Sequence, residues 1–352
     1  MNMLMKQILL VFIAISLISC KELSKKYVEE GHKQFNIENY NGAIIEFKKS
    51  LRYDSNNKEI YQYIGRSYEE LNEYNNAIAN YSHAIQIDST YSVALRSRGY
   101  AKYLIKDFNY ALKDYLRSLS IDSTNASALR NTAAVYKKLG DYEKARDYYY
   151  ESFKIEPNYY GAMDDLSHIE FGLGHYDSCI NLCYKIIGHL DEGQDSPFGT
   201  LGLAYNAISK WDSSVINLNK AIKIRPDFAT YYDNRGFSLV SLNKFSEALK
   251  DYNIAIKLDS LNPNFYLNKA DLFYKIAKYI DAIQNYDKAI YLSKNFNEYN
   301  WGICYNNRAM AKRKIGDIKG YNEDMKIAND LGYPENYKPY INLESSFYKD
   351  KK

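Results

Sequence analysis

Metal-ligating side chains come together at one place in this sequence. His175, Cys179 and Cys183 follow one another at intervals of four, with His168 and His189 close by. Thiolate and imidazole groups so spaced share one face of a helix, and such a set can hold zinc. Structural zinc sites more often separate paired cysteines by two residues than by three, so no metal is expected here. Other chemistry is missing. The chain has no phosphate-cradling loop ending in Gly-Lys-Ser/Thr, no Gly-x-Ser-x-Gly elbow and no His-Glu-x-x-His. Gly172-Leu173-Gly174 lacks a third glycine in place, and His168-Ile169-Glu170 lacks the Pro-Cys-x-x-Cys segment of a zinc deaminase. No catalytic residue, no cofactor and no enzymatic activity are expected.

Cys20 has a different context. Ile8 to Ile18 is apolar except for Ser16, a run of 11 residues after the single positive charge of Lys6. That is about half of the ~20 residues a membrane-spanning helix needs, and it reads as the apolar region of a secretory signal. Leu17-Ile18-Ser19-Cys20 then resembles a bacterial lipobox. The resemblance implies that the Cys20 thiol is acylated (palmitate is among the chains expected) and that cleavage removes residues 1–19. Residues 20–23 would become a lipidated tether at the bacterial cell envelope. Lys21 stands where many such proteins carry the aspartate that retains them at the inner membrane, which points to the outer membrane. After cleavage 45 basic side chains would face 43 acidic ones. That balance offers no concentrated basic surface for nucleic acid, and none is expected as a partner.

The residues beyond the signal are organised by a repeat, and the repeat decides what most side chains do. A small residue recurs every 34 residues at Ala43, Ala77, Ala111, Ala145 and Cys179, and after one inserted residue at Ser214, Ala248 and Ala282. Tyr321 is a degenerate ninth copy. An aliphatic column keeps the same register in all nine copies, from Ile37 and Leu71 to Ile276 and Ile315. Three residues later an aromatic follows in eight of the nine, among them Tyr40, Phe108 and Trp211. Each period holds two stretches with apolar residues three and four apart, the helical spacing. Asn72, Gly140, Gly174, Asn243 and Gly316 mark turns between them, since these residues tolerate the left-handed conformation that ends a helix.

With these columns the chain resembles the tetratricopeptide repeat family over residues 24–333. Gly31, Gly65, Gly99, Gly202 and Gly236 supply the small residue at position 8 of the family pattern. Phe47, Tyr81, Tyr115, Tyr149, Tyr252 and Tyr286 supply the aromatic at position 24. Ala84, Ala221, Ala255, Ala289 and Ala328 supply the small residue at position 27. The proline at position 32 survives as Pro157 and Pro226, whereas Ser55, Ser89, Ser123 and Ser260 replace it elsewhere and are expected to cap the following helices. The resemblance implies an all-α, right-handed superhelical solenoid of nine stacked hairpins. They lie near 24–57, 58–91, 92–125, 126–159, 160–194, 195–228, 229–262, 263–296 and 302–333, with a polar tail over 334–352. Asn322 and Asn329 give the last copy the polar outer face that a terminal repeat needs.

In this family the first helix of each repeat lines a concave groove. Carried over residue by residue, that places Arg66, Arg96, Tyr100, Tyr103, Arg130, Lys137 and Lys138 in the groove, followed by Asp164, Asp165 and His168. Glu59, Glu69 and Glu70 sit at the same end as the arginines, and later repeats contribute Asp233, Asn264, Asp271 and Tyr274. The family's lysine-and-asparagine clamp for a terminal carboxylate is absent: starting at Arg96, Tyr100 and Asn131, the next positions are Gly161 and Asp165. Cys179 and Cys183 fall in the core columns of repeat five, where cysteine serves as a small hydrophobe. Four repeats separate them from Cys304, too far for a disulfide, whose Cα atoms lie within ~7 Å. The expected role is a scaffold that binds a protein or peptide segment, acidic groups toward the arginines. The alternative is a structural subunit of a larger envelope complex that uses its convex surface. Repeat five, with Ser167 at position 8 and an added residue in the loop from Gly188 to Gly193, is expected to be the weakest joint.

Overall fold

The computed structural model describes residues 3–189, 194–293 and 301–333, with side chains from residue 20 onward. The side chains of the signal segment, most of the loop between Gly188 and Gly193, and the tail over 334–352 lie outside the described residues. Eighteen helices follow one another, and among the described residues there is no strand. They pair as antiparallel hairpins: α1 (Met3–Asn36) with α2 (Tyr40–Leu51), α3 (Lys58–Glu70) with α4 (Tyr74–Ile87), and α5 (Ser92–Leu104) with α6 (Phe108–Ile121). Next come α7 (Ala126–Leu139) with α8 (Tyr142–Ile155), then α9 (Tyr160–Gly172) and α10 (Tyr176–Ile187). The last four pairs are α11 (Ser196–Ala207) with α12 (Trp211–Ile224), α13 (Ala229–Ser241) with α14 (Phe245–Leu258), α15 (Pro263–Lys275) with α16 (Tyr279–Ser293), and α17 (Gly302–Lys314) with α18 (Ile318–Asp330). The chain divides into two compact units, Met1–Ala162 and Met163–Lys352. No helix among the described residues is long and apolar enough to cross a membrane.

Each hairpin closes through its own backbone. One residue per turn takes a left-handed conformation, and the amide of the residue after it donates back to a carbonyl five residues earlier. At the second hairpin Asn72 has φ 61°, and the Glu73 amide reaches the Tyr68 carbonyl at 2.8 Å. The same closure recurs in all nine pairs. Glycine fills the position at Gly140, Gly174 and Gly316, and asparagine at Asn72 and Asn243. Glu38, Lys106, Ser209 and Ala277 fill it in the remaining four, with φ between 59° and 64°. These four give no composition signal, which is why the sequence marks only five turns.

The helix starts depart from expectation in one respect. Ser55, Ser89, Ser123 and Ser260 do not cap the helices that follow. They lie two residues too early: Asn57, Asn125 and Asn262 cap α3, α7 and α15, their oxygens accepting from the Ile60, Ala128 and Asn264 amides, and α5 after Ser89 has no side-chain cap. The carboxylates just before the serines have a local role instead: Asp88 and Asp122 accept from the amides and hydroxyls of Thr90 and Thr124.

Hairpins hold together where small residues meet rings. The alanines at Ala43, Ala77, Ala111, Ala145, Ala248 and Ala282 are completely buried, as are Phe47 and Tyr81. Full burial of such a ring contributes roughly 1.5–3 kcal/mol. Position 8 must be small because the ring from the second helix lies flat on it. A Cβ built on Gly65 would stand 2.5 Å from the Tyr81 ring. Serine replaces alanine at three position-27 sites, Ser50, Ser118 and Ser152, and each buried hydroxyl donates to a backbone carbonyl. The nine-copy aliphatic column, by contrast, is not core. Ile37, Ile105, Leu139 and Ile315 lie at the mouths of the turns and are 41–64% exposed.

Within each unit the second helix of a hairpin packs on the first helix of the next, as α4 does on α5 and α12 on α13. The first helices also approach one another, α3 to α5 and α5 to α7 in one unit, α11 to α13 to α15 to α17 in the other. First helices therefore form the inner row of each unit. Asn322 and Asn329 are exposed on α18, the last helix.

Candidate functional site

In the first unit the inner row brings arginine and tyrosine side chains to successive turns of neighbouring helices. Arg66 on α3 is exposed, its guanidinium 5.1 Å from the centre of the Phe35 ring and 6.0 Å from that of Tyr63. No carboxylate lies within ion-pair distance of it among the described residues. Arg96 on α5 is half-buried and likewise makes no ion pair, although its charge helps hold the Asp122 carboxyl low, after the hydrogen bonds from Thr124. Tyr100 stands one turn further along α5 and is exposed, and Tyr103 packs edge-on against Phe108. Burial lifts the Tyr100 hydroxyl above its ordinary range, so it remains a neutral donor.

Arg130 has a different situation from Arg96, although both occupy position 5. Its Nη1 donates to Glu156 Oε2 at 2.6 Å, and its guanidinium lies 3.9 Å from the centre of the Tyr159 ring. Lys137 is half-buried near the end of α7, and Lys138 beside it is exposed. At the other end of the row the Glu69 carboxyl is raised by burial and accepts from the Tyr81 hydroxyl at 3.0 Å.

In the second unit the inner row is built from carboxylates and amides. Asp164 accepts from the Ser196 hydroxyl at 2.9 Å, and His168 Nε2 meets the Thr200 hydroxyl at 2.9 Å. Asp165 is half-buried on the same helix. Asp233 accepts from Asn268, and Asp271 from Asn307 and from the Tyr286 hydroxyl. Each of these bonds except the last joins first helices of consecutive repeats. Burial raises Asp233 to about 7 and Asp271 to about 6.

The histidine–cysteine group is not assembled as a ligand set. Cys179 and Cys183 are completely buried among Phe171, Leu201, Leu203 and Ala204. The neighbouring Cys183 thiol and burial together push the Cys179 thiol up, away from the thiolate that zinc requires. His175 sits in the turn, its Nδ1 2.7 Å from Glu170 Oε2. No group of three or more potential ligands able to hold a metal occurs among the described residues. The four cysteines are free.

One constellation escapes a reading of the groove positions alone. Arg98 with Asp114, Arg235 with Asp251, and Arg308 with Asp324 are buried or half-buried ion pairs that join the two helices of one hairpin. A signal for them does exist in the sequence, an arginine and an aspartate 16 residues apart at matching places in three repeats.

Comparison with known proteins agrees with the fold. A family model described as TPR repeat matches residues 236–277, and models described as tetratricopeptide repeat match residues 114–147, 59–91 and 263–296. The crystal structure of a tetratricopeptide repeat protein from Parabacteroides merdae is similar, with a TM-score of 0.55 at 18% identity, over 72% of this chain and 98% of that one. Pseudomonas aeruginosa pilF is similar with a TM-score of 0.52 at 14% identity, over 59% of this chain and 94% of that one. At these identities the likeness is one of fold. No curated protein matches the chain.

Proposed function

The chain is a tetratricopeptide-repeat protein, a protein-interaction scaffold, and we propose that it is held at the bacterial cell envelope by an acyl group on Cys20 and binds a partner's protein segment along its inner helix row. One observation carries the groove reading. Arg66 and Arg96 make no ion pair on a row that also exposes Tyr100. Arginine's planar fork suits carboxylates, and tyrosine adds contact area with a polar tip, so the segment carries acidic groups. Arg130 is already engaged by Glu156, so it shapes the row more than it offers free charge. The absence of recognisable catalytic motifs favours a scaffold over an enzyme. The lipobox-like Leu17-Ile18-Ser19-Cys20 supports the anchor.

A second reading has its own support. Second helices expose Ile45 and Tyr110 in the first unit and Ile216, Ile280 and Tyr291 in the second, each more than half exposed. Apolar groups so placed favour a subunit that docks through its outer surface. Capture from detergent-solubilised envelope separates the two. The charge reversal of Arg66→Glu with Arg96→Glu should release the partner, whereas Tyr110→Glu should retain it. Affinity within threefold of the native value after the arginine reversal would retire the groove reading, and loss with Tyr110→Glu alone would establish the other.

A further inference from the structure

Buried aspartates in this chain have a standard partner. Asp114, Asp251 and Asp324 are each held by an arginine from the facing helix. Asp233 and Asp271, on the inner row of the second unit, are not: no lysine or arginine among the described residues reaches either of them. Asp233 is buried, and both its oxygens rest on the single Asn268 Nδ2, at 3.0 and 2.9 Å. Asp271 is half-buried, and its Oδ1 takes both available donors, the Tyr286 hydroxyl at 2.5 Å and Asn307 Nδ2 at 3.1 Å. Its Oδ2 has no hydrogen-bond donor among the described residues.

The nearby cations are committed elsewhere. Lys275, one turn beyond Asp271, donates to the Val240 carbonyl at 3.1 Å and lies over the Phe245 ring. Arg308 is taken by Asp324 and Asp287. A second unfilled acceptor belongs to the same chain of hydrogen bonds, two bonds from the carboxylate. Asn306 is 4% exposed, its Nδ2 donates to Asn307 Oδ1 at 3.2 Å, and its own Oδ1 has no partner among the described residues. A half-buried carboxylate without a cation, one of whose oxygens lacks a donor, is costly, and an inserted ammonium or guanidinium group would satisfy it.

We propose that the inner row of the second unit contains a receptor site for a lysine or arginine side chain of a partner segment, formed by Asp271 with its neighbour Asn307. Tyr286 and Asn307 both donate to Oδ1 and leave Oδ2 to the incoming cation. Tyr274, one turn along α15, supplies an aromatic surface for the aliphatic stem or the charge. The site is independent of Arg66 and Arg96 and takes the opposite charge.

The test uses the full chain and a blocked tetralysine amide as probe, read by calorimetry near pH 7.5. Asp271→Asn should weaken binding at least tenfold, and Asp330→Asn, a change at an exposed acid on α18, should leave it within twofold. Thermal unfolding supplies the second reading. A melting temperature as high as that of the native chain shows that any loss of binding by Asp271→Asn is not a loss of fold. The proposal is overturned if tetralysine does not bind, if both variants weaken it equally, or if Asp271→Asn keeps the affinity. A lowered melting temperature with binding retained would assign Asp271 to the fold alone.

Discussion

Arg98 clasps Asp114 along a full guanidinium edge, with Nε on Oδ2 at 2.8 Å and Nη2 on Oδ1 at 2.6 Å. Lys102 adds a third bond to the same carboxylate at 2.8 Å, and the carboxylate side chain is only 6% exposed. The pair ties α5 to α6 inside one hairpin, as Arg235 with Asp251 and Arg308 with Asp324 tie two others.

Asp114→Ala should therefore destabilise the first unit by ~3–5 kcal/mol, because it strands two cations in a largely dry site. Arg98→Met with Lys102→Met and Asp114→Leu should recover most of that loss, since well-packed apolar groups often equal a buried ion pair. Urea unfolding of the two variants measures the difference. Equal destabilisation in both would show that the ion pair contributes net stability of its own.

Asp233 sets a pH dependence of unusual sign. Its folded pKa is raised to about 7, against ~4 for an unfolded aspartate, so the folded chain binds the proton more tightly. The stability this lends is complete below ~4 and is lost as pH rises through about 7. Asp233→Asn should be nearly neutral at pH 4.5 and more stable than the native chain by roughly 2–4 kcal/mol at pH 7.5. Paired denaturation curves at the two pH values would read this directly, and a difference that does not change with pH would refute it.

Ala277 takes φ 59° at the turn between α15 and α16, a conformation that a Cβ makes unfavourable by ~1–2 kcal/mol. Ala277→Gly should raise the stability of the second unit by up to ~1 kcal/mol, part of the relief being offset by glycine's greater freedom when unfolded. Ala→Gly changes inside helices normally do the reverse, so thermal melting distinguishes the cases by sign.

Repeat five should open before its neighbours. Ser167 and Cys179 take the positions where most other repeats carry glycine or alanine, and both are completely buried. Stability in a linear array sums repeat and interface terms, so a poor unit opens locally. Amide exchange in residues 163–187 should outpace that in the α13–α16 repeats, and slower exchange there would count decisively against the idea.

Cys20→Ala should release the protein from membranes without unfolding it. Acyl chains contribute ~0.8 kcal/mol per buried CH₂, and the described helices offer no apolar span to replace them. Retention in the membrane fraction after a high-salt wash, with the mass of the native protein showing no lipid, would end the lipoprotein reading.

The fold was legible because its period is written in core columns. Ala43, Ala77 and Ala111 recur in phase and are all buried, and the position-24 rings lie on the position-8 glycines. Regularity was a poorer guide at the turns. The aliphatic column present in all nine copies lies partly in solvent, while turns at Glu38 and Lys106 carry residues that betray nothing. The groove was legible only as a set of positions. Arg96 and Arg130 share a position, yet only Arg130 meets a carboxylate, because Glu156 and Tyr159 at the end of its own repeat reach it. Such pairing depends on side-chain reach across a hairpin, which spacing does not encode.

The closure of the hairpin turns has an evolutionary corollary. Because the chain reverses through its own amides and carbonyls, as at Glu73 and Tyr68, a turn needs nothing from the repeats on either side. A duplicated or deleted 34-residue module arrives with its reversal already built and has only its two packing faces to match. Lineages of this protein can therefore change length in whole repeats, and the number of hairpins should vary among relatives more readily than the length of any one of them.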